Sequence, residues 1–328
     1  MSPYSLERTV AIDAVRLAAR LCLAIREEMY RKDEPMEKAG DEPVTTADYG
    51  AQALILQHIA GHFPDDALLA EERADDFIRL ANAKQREHVA HHISRILERN
   101  VSAADTVRWL DSGRGQANAR TWVVDPIDGT KGFLRGDQFA IAVALLVDGI
   151  PVAGALGCPL MPFGSGEADG LRGVIAAAVH GQGATLEPLS GGPVRAMRVS
   201  DCDTLAEARL VESVEVEHTD HAFSARLVEV ARIGGSVVRI DSQAKYVAVA
   251  DGRAEIYIRL PREGYHEKVW DHAAGVLIVE EAGGFVTDIR GNPMDFSCGK
   301  RLASNDGILA TNGALHAELL TAIRAIRT

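Results

Sequence analysis

Apolar residues recur at helical spacing near the start of the chain. Val10, Ala14 and Leu17 fall on one face, which predicts a long amphipathic helix over residues 5–31. The polar residues that follow, 31–42, predict a loop between this helix and the next.

The second predicted helix begins at a sequence that fits a capping box. Thr45 at the cap and Asp48 three residues later can each bond the other's backbone N–H, and the helix continues to His62. Residues 67–70 then predict a short strand, and residues 76–100 predict an exposed helical region.

After residue 120 the pattern changes to short apolar runs separated by Asp-Gly and Gly-Pro turn signals, which is typical of strands. From about residue 200 predicted strands and helices alternate to the end. This order predicts a layered α/β (α+β) fold with two sheets. The predicted strands are 121–124, 139–147, 152–156, 173–179, 209–214, 236–240, 254–260, 285–288 and 308–311, and the predicted helices are 221–232, 242–250, 271–282 and 314–327.

Composition and charge narrow the classes of function. Of the 328 residues, 47% are apolar and 25% are charged, as in an ordinary globular protein, and the formal net charge is −12. This charge argues against a nucleic-acid polymer or an anionic membrane as partner, because both carry the same sign. A small phosphorylated substrate is compatible with it, since metal ions and local basic side chains can reverse the sign inside a cleft.

The cysteines and the lack of long apolar runs bear on location. Cys22, Cys158, Cys202 and Cys298 show no metal-binding spacing, which favours reduced thiols. No apolar run reaches the roughly 18 residues of a membrane span, and the first residues lack the pattern of a signal peptide. We therefore expect a cytoplasmic protein with no membrane span.

The most informative stretch of the chain runs from Trp122 to Gly136. Its apolar run ends in Asp125 and Asp128, with Pro126 between them. Two carboxylates at the end of a buried strand repel each other, and a cation between them relieves the repulsion. The Gly-Thr-Lys-Gly turn that follows offers backbone N–H groups to an anion. A cation site beside an anion site is what metal-assisted phosphate chemistry requires.

Other acidic residues stand where predicted elements begin or end, and each also has a simpler interpretation. Asp48 and Asp271 fit helix caps, and Glu71 with Glu72 fits a solvated turn. If these residues gather in the fold, oxygen ligands without histidine or cysteine favour Mg²⁺ over Zn²⁺ or copper. Two such ions can hold the attacking water and the leaving oxygen of an in-line displacement.

Two motifs of the chain resemble the signature of a known family. Trp-x-x-Asp-Pro-Ile-Asp-Gly-Thr begins at Trp122, and Trp-Asp-x-Ala-Ala-Gly begins at Trp270. Together they resemble the lithium-sensitive, Mg²⁺-dependent phosphatases of the inositol monophosphatase superfamily. The resemblance covers residues 8–325 and implies the layered α-β-α-β-α sandwich of the sugar and inositol phosphatases.

Further segments are similar to the 3′(2′),5′-bisphosphate nucleotidase branch of that superfamily. Thr-Lys-Gly-Phe begins at Thr130, where inositol monophosphatases usually have Thr-Asn-Phe or Thr-Thr-Asn. The segments that begin at Pro43, Asp241, Arg259 and Glu267 are similar to the same branch. The resemblance implies hydrolysis of the 3′-phosphate of adenosine 3′,5′-bisphosphate to AMP and phosphate, with 3′-phosphoadenylyl sulfate as an analogous substrate.

For the reacting centre, the resemblance implies two Mg²⁺ ions and allows a third. Arg73 stands where the family commonly has an acid, which argues against a complete third metal site. Asp48 matches the residue that orients or deprotonates the attacking water, and Thr130 matches its partner. The implied metal ligands are Glu71, Asp125, Asp128, Asp271 and the backbone carbonyl of Ile127.

The resemblance also implies a set of substrate contacts, several of which have simpler interpretations. Lys131 fits a loop lysine facing solvent, Ser242 with Lys245 fits an exposed helical pair, and Arg259 fits a surface arginine at a strand end. His221 is an alternative to His218 as the nucleotide contact, because Thr-Asp replaces the usual Ser-Ser between them. The implied substrate-binding residues are Gly129, Thr130, Lys131, His218, Ser242, Lys245 and Arg259.

Three functions follow from these residues. The first is the nucleotidase, whose partner is a small phosphorylated nucleotide. The second applies the same chemistry to an inositol phosphate or a sugar bisphosphate. The third is a non-catalytic nucleotide or metal sensor. We expect residues 1–149 to carry most metal ligands and residues 150–328 to carry the substrate contacts and Asp271. The chain is expected to be a monomer or a homodimer.

Overall fold

The computed structural model describes residues 2–32, 36–37, 43–115, 118–164, 172–215, 221–260 and 265–327. The helices are α1 Ser5–Lys32, α2 Thr46–His62, α3 Ala74–Leu80, α4 Ala83–Leu97, α5 Ala103–Ser112, α6 Thr130–Arg135, α7 His221–Val230, α8 Ala244–Ala250, α9 Ala273–Glu281 and α10 His316–Arg327. The strands are β1 Met36–Glu37, β2 Pro43–Val44, β3 Ala67–Ala70, β4 Arg120–Asp128, β5 Ala140–Val147, β6 Ile150–Pro162, β7 Arg172–Val179, β8 Ala184–Pro188, β9 Arg195–Ala196, β10 Leu210–Glu212, β11 Val237–Arg239, β12 Ile256–Arg259, β13 Phe285–Thr287 and β14 Ile308–Thr311.

The larger sheet has seven strands in the chain order β3-β4-β5-β6-β7-β8-β9. β3 and β4 are parallel, and the remaining neighbours are antiparallel. Asp148 and Gly149 both have positive φ, 50° and 78°, so the predicted Asp-Gly turn is a tight hairpin between β5 and β6. Strands β4 to β9 are successive antiparallel neighbours and form one meander, and β3 pairs with β4 at its edge.

The smaller sheet has five strands in the order β11-β10-β12-β14-β13. β10 is parallel to both β11 and β12, whereas β14 runs antiparallel to β12 and β13. The helices that alternate with these strands in the sequence provide the crossovers that parallel neighbours require.

The two sheets and the helices form five layers. α1 and α2 cover one face of the larger sheet, α8 and α9 lie between the sheets, and α7 and α10 pack together on the outer side of the smaller sheet. Apolar side chains fill the four interfaces between these layers as three clusters, of which the middle one lies on both faces of the α8 and α9 layer. The predicted α-β-α-β-α sandwich is confirmed.

Several predicted boundaries differ from the structure. The helical region 76–100 is divided into α3 and α4, because Asn82 caps α4 and its side chain accepts the Gln85 N–H at 3.0 Å. Helix α5 and strands β8 and β9 were not predicted. The division at residue 149 stays a prediction, and the change from one sheet to the other falls between β9 and β10.

Among the described residues, no helix is long and apolar enough to cross a membrane.

Candidate metal and phosphate site

The two central aspartates lie at the end of β4, where its pairing with β5 becomes irregular. The antiparallel register is regular up to Asp125 and shifts before Asp128 pairs with Ala140. Pro126 has no N–H to donate to a ladder, so the irregularity falls where regular pairing cannot continue. The shift lets both carboxylates occupy the same end of the sheet.

Two other acidic side chains reach this place from different elements. Ala70 ends β3 opposite Val124, and the backbone N–H of Glu71 donates to the Val124 carbonyl at 3.2 Å. Asp271 ends a short 3₁₀ turn, Val269–Asp271, which packs against β4. Parallel pairing of β3 with β4 therefore brings Glu71 next to Asp125.

The four carboxylates interact strongly because they lie in a low-dielectric environment. Burial raises the pKa of Asp125 well above its usual range, and the charges of Glu71, Asp128 and Asp271 raise it further. The pKa of Asp271 is also raised well above its usual range by burial, with Asp128 and Glu71 adding to the effect and Arg259 opposing it. Ionising all four at neutral pH requires compensating positive charge.

The donor set fits a hard divalent cation. Asp125 is 2% exposed, and its Oδ1 is buried with no hydrogen-bond partner in the described part of the chain. A buried carboxylate oxygen without a donor is costly, and a cation would satisfy it. Four carboxylates that lack a cysteine partner suit Mg²⁺ better than a soft metal.

Asp48 and Thr130 lie beside each other next to the carboxylates. The predicted capping box is confirmed, because Asp48 Oδ2 accepts the Thr45 backbone N–H at 2.8 Å and the Thr45 hydroxyl at 2.7 Å. Thr130 Oγ1 lies 3.3 Å from Asp48 Oδ1 and 3.2 Å from the Ile127 carbonyl oxygen. The cap thus fixes one oxygen of Asp48 and directs the other towards Thr130.

Gly129 and Ser242 hold two loops in close contact at the site. Gly129 has φ +86°, and a Cβ added there would lie 3.1 Å from Ser242 Cβ. Ser242 itself has φ +71°, which is rare for a residue with a side chain. The next residue, Gln243, donates its backbone N–H to Asp128 Oδ2. The 240–243 turn is therefore tied directly to the carboxylate cluster.

Lys245 is buried rather than exposed, so the interpretation as a surface lysine is wrong. Its ammonium donates to the carbonyls of Ile240 at 3.0 Å and Ser242 at 2.7 Å, and its side chain is 2% exposed. Burial lowers the pKa of Lys245 to about 8, although the nearby Asp128 acts in the opposite direction. Lys245 therefore holds the turn and places a positive charge behind Asp128.

Arg259 is also buried, at 7% exposure, and belongs to a charged network that the sequence analysis missed. It forms a bidentate pair with Glu267, at 2.8 and 2.7 Å, and its guanidinium lies 3.8 Å from Asp271 Oδ2. His272 lies 3.1 Å from Glu267 through Nε2 and 2.7 Å from the Tyr246 hydroxyl through Nδ1. Burial alone would raise the pKa of Glu267, but Arg259 and the His272 hydrogen bond outweigh it and hold the pKa at about 2.

Glu267 and His272 have a signal in the sequence, since both stand in the segment around Trp270. Ligand-type atoms of Glu267, Asp271 and His272 lie within 4.8 Å of one another. Glu267 is nevertheless engaged by Arg259, so this group orients Arg259 and Asp271 rather than forming a separate metal site.

The remaining predicted residues are less closely tied to the cluster. Lys131 is partly exposed, and its ammonium lies 3.7 Å from Glu215. His218 lies outside the described residues. His221 begins α7 and its Nδ1 lies 3.7 Å from Glu212 Oε1. Lys268, which was not predicted, lies 3.4 Å from Glu71 through its ammonium.

Comparison with known proteins gives one family and a consistent set of relatives. A family model described as the inositol monophosphatase family matches residues 6–328. A protein of Oryza sativa named 3′(2′),5′-bisphosphate nucleotidase is 40% identical, over 98% of this chain and 95% of the relative. A protein of Emericella nidulans with the same name is 36% identical, over 98% of this chain and 99% of the relative.

Solved structures share the fold at lower identity. An inositol monophosphatase of Thermotoga maritima superposes with a TM-score of 0.65 at 23% identity, covering 96% of each chain. An inositol monophosphatase of Anabaena gives a TM-score of 0.65 at 23% identity, covering 99% of this chain and 97% of the other.

Proposed function

Because the chain belongs to the inositol monophosphatase family, we propose that it is a Mg²⁺-dependent 3′(2′),5′-bisphosphate nucleotidase. It removes the 3′-phosphate of adenosine 3′,5′-bisphosphate and releases AMP and phosphate, and it accepts 3′-phosphoadenylyl sulfate as an analogue. Free cysteines at all four positions support action in a reducing compartment such as the cytoplasm.

The observation that carries the proposal is the buried carboxylate cluster with cationic side chains behind it. Glu71, Asp125, Asp128 and Asp271 would hold two Mg²⁺ ions, with the Ile127 carbonyl as a further ligand. Bound divalent ions supply charge stabilisation at a phosphoryl group and make water more acidic. A neutral binding module has no need for four mutually repelling carboxylates in a largely buried site, because each costs free energy to desolvate.

Asp48 and Thr130 are the residues placed to handle the proton of the attacking water. Two donors from Thr45 engage Asp48 Oδ2, whereas Oδ1 lies at 3.3 Å from the Thr130 hydroxyl. A water that donates to Asp48 Oδ1 and accepts from Thr130 would be oriented by both groups. The proton would then pass to Asp48, and no covalent intermediate with the protein is required.

The phosphate and nucleotide would be bound at the turn next to the cluster. The backbone N–H groups of Gly129 and Thr130 are proposed to bind the departing phosphate, and Ser242 lies against Gly129. Lys131 is partly exposed at the same turn, where its ammonium lies 3.7 Å from Glu215, and it is proposed to bind a second phosphate. Lys245 and Arg259 would act mainly by long-range charge, because both are buried and bonded to protein groups.

Release of inorganic phosphate from adenosine 3′,5′-bisphosphate tests the proposal. We expect turnover with Mg²⁺, loss with a chelator, and a reduction of several orders of magnitude in Asp125→Asn. Asp203→Asn is the matched control, because Asp203 is an exposed aspartate outside the site. Addition of LiCl to the same assay tests the lithium sensitivity that the family implies.

A substrate panel separates this function from the alternatives. The proposed nucleotide substrate would be refuted if the wild type were inert towards the nucleotide but rapidly hydrolysed inositol 1-phosphate or a sugar bisphosphate. Tight nucleotide binding by calorimetry without any phosphate release in Mg²⁺ would refute the enzyme and support a sensor.

A further inference from the structure

A second group of ligand-type side chains lies between α1 and α4, which carry none of the residues of the carboxylate site. Glu28 Oε2 is 3.4 Å from His88 Nε2 and 3.4 Å from His92 Nε2. The two histidine nitrogens are 3.2 Å apart. Three potential ligand atoms from two helices therefore point at one small region of space.

The sequence explains why these atoms converge. His88 and His92 are four residues apart on α4, so their side chains lie one above the other on the same helix face. Helix α4 packs against α1, whose last turns carry Glu28. Because α4 begins at a capping box on Asn82, its register and therefore the histidine positions are fixed at the start of the helix.

The triangle of atoms has the dimensions of a tetrahedral metal site. Zinc binds imidazole nitrogen at about 2.0–2.1 Å and carboxylate oxygen at about 2.0–2.2 Å. Two ligands at those distances with a tetrahedral angle between them are separated by roughly 3.3–3.5 Å. Two of the observed separations, 3.4 and 3.4 Å, fall in this range, and the third, 3.2 Å between the two histidine nitrogens, lies just below it.

We propose that Glu28, His88 and His92 form a Zn²⁺ site that joins α1 to α4 and leaves the fourth tetrahedral position to water. Two imidazoles with one carboxylate are a zinc ligand set and a poor one for Mg²⁺, which prefers six oxygens. The site is therefore chemically distinct from the carboxylate cluster, although both bind divalent cations.

The surroundings of the histidines suit metal binding. His92 is 2% exposed, whereas the side chains of His88 and Glu28 are 37% and 47% exposed. The site thus has one ligand anchored in the interior and two that are open to an entering ion. Burial lowers the pKa of His92, which keeps its imidazole neutral at pH 7 and available as a ligand.

Zinc titration in saturating Mg²⁺ tests the site, because under the proposed function Mg²⁺ would compete with zinc for the carboxylate cluster. Four proteins are first stripped of metal with a chelator and then titrated with ZnCl₂ by calorimetry. They are the wild type, His88→Gln, Glu28→Gln and His91→Gln. We expect wild type to bind one zinc ion more than His88→Gln and Glu28→Gln. His91→Gln is the matched control, since His91 is an exposed histidine on the same helix outside the triangle, and it should match wild type.

Two further measurements identify the geometry and the role. Co²⁺ in place of Zn²⁺ should give the intense visible absorption of a tetrahedral site in wild type and His91→Gln, and lose it in His88→Gln. Zinc should raise the melting temperature of wild type in Mg²⁺ and leave that of His88→Gln unchanged. Equal zinc stoichiometry in all four proteins, or Co²⁺ spectra that do not depend on His88, would show that the triad is held by hydrogen bonds alone and would overturn the proposal.

Discussion

Gly129 is the residue at which the backbone next to the carboxylates is most constrained. Its φ of +86° lies in the left-handed region, and the space where a Cβ would stand is occupied by Ser242, at 3.1 Å. A side chain there would be penalised twice, once by its own backbone conformation and once by the neighbouring turn. The clash with Ser242 would displace the 240–243 turn. Gln243 of this turn donates its backbone N–H to Asp128, so the displacement would reach the carboxylates.

We therefore predict that Gly129→Ala lowers both stability and turnover. The expected loss of unfolding free energy is about 2 kcal/mol, of which about 1 kcal/mol comes from φ alone. Gly181→Ala is the matched control, because Gly181 has φ +73° with no atom within 4 Å of the added Cβ. Urea unfolding and phosphate release are measured for both variants. If Gly181→Ala loses as much of either quantity as Gly129→Ala, the contact with Ser242 is not what constrains the site.

At the residue scale, the sequence identifies the charged residues of the site better than it identifies their burial and their partners. The spacing of Asp125 and Asp128 after an apolar run indicates a buried acidic pair, and the structure places it there. The burial of Lys245 and Arg259 could not be inferred, because it depends on α8 and β12 lying between other layers. The pairing of Arg259 with Glu267 likewise joins residues that are eight positions apart in the chain and that no local pattern relates.

At the scale of secondary-structure elements, His316 joins the C-terminal helix to the smaller sheet. It begins α10, and its two ring nitrogens lie 2.9 Å from the Thr287 hydroxyl on β13 and 3.0 Å from the Thr311 hydroxyl on β14. Burial lowers the pKa of His316 to about 4. The helix thus docks through an imidazole that must stay neutral.

This docking predicts a specific pH dependence of stability. Between pH 6.5 and about 4 the unfolded chain binds a proton at His316 that the folded chain does not, so His316 stabilises the fold fully above pH 6.5 and progressively less as the pH falls. As the pH falls over this range, the urea concentration at the unfolding midpoint should therefore decrease more steeply for wild type than for His316→Gln. His91→Gln should keep the wild-type slope. Parallel profiles for wild type and His316→Gln would contradict the prediction.

Local sequence signals predict some elements and miss others, because a capping box begins both α2, which was predicted, and α5, which was not. The capping box at Thr45 fixes the start of α2 by short-range bonds, which a sequence pattern can reveal. Strands β8 and β9 extend the edge of the larger sheet with few apolar positions, so they become strands because β7 offers a free edge to pair with.

For the whole molecule, the middle layer links the two sheets into one cooperative structure. Apolar residues of α8 and α9 share a single core cluster with strands of both sheets. Loss of either sheet would expose this layer, so neither sheet is expected to unfold alone.

We predict a single thermal transition in which different probes coincide. Tryptophan fluorescence reports on Trp109 in α5, Trp122 on β4 and Trp270 in the 3₁₀ turn. Far-ultraviolet circular dichroism reports on both sheets and all helices. The two melting curves should superimpose in Mg²⁺. Two separated transitions would instead show that the two sheets unfold independently.

The layered arrangement has a consequence for how specificity can change. Glu71, Asp125 and Asp128 come from the larger sheet, whereas Lys245 and Arg259 come from α8 and the smaller sheet. Under the proposed function, substitutions around Lys245 and Arg259 would therefore change which phosphorylated compound is accepted, while three of the four carboxylates stay on the unaltered side of the molecule. Chimeras that exchange the region after residue 200 between relatives, with Asp271 retained in the exchanged part, would test whether substrate preference can be transferred without loss of hydrolysis.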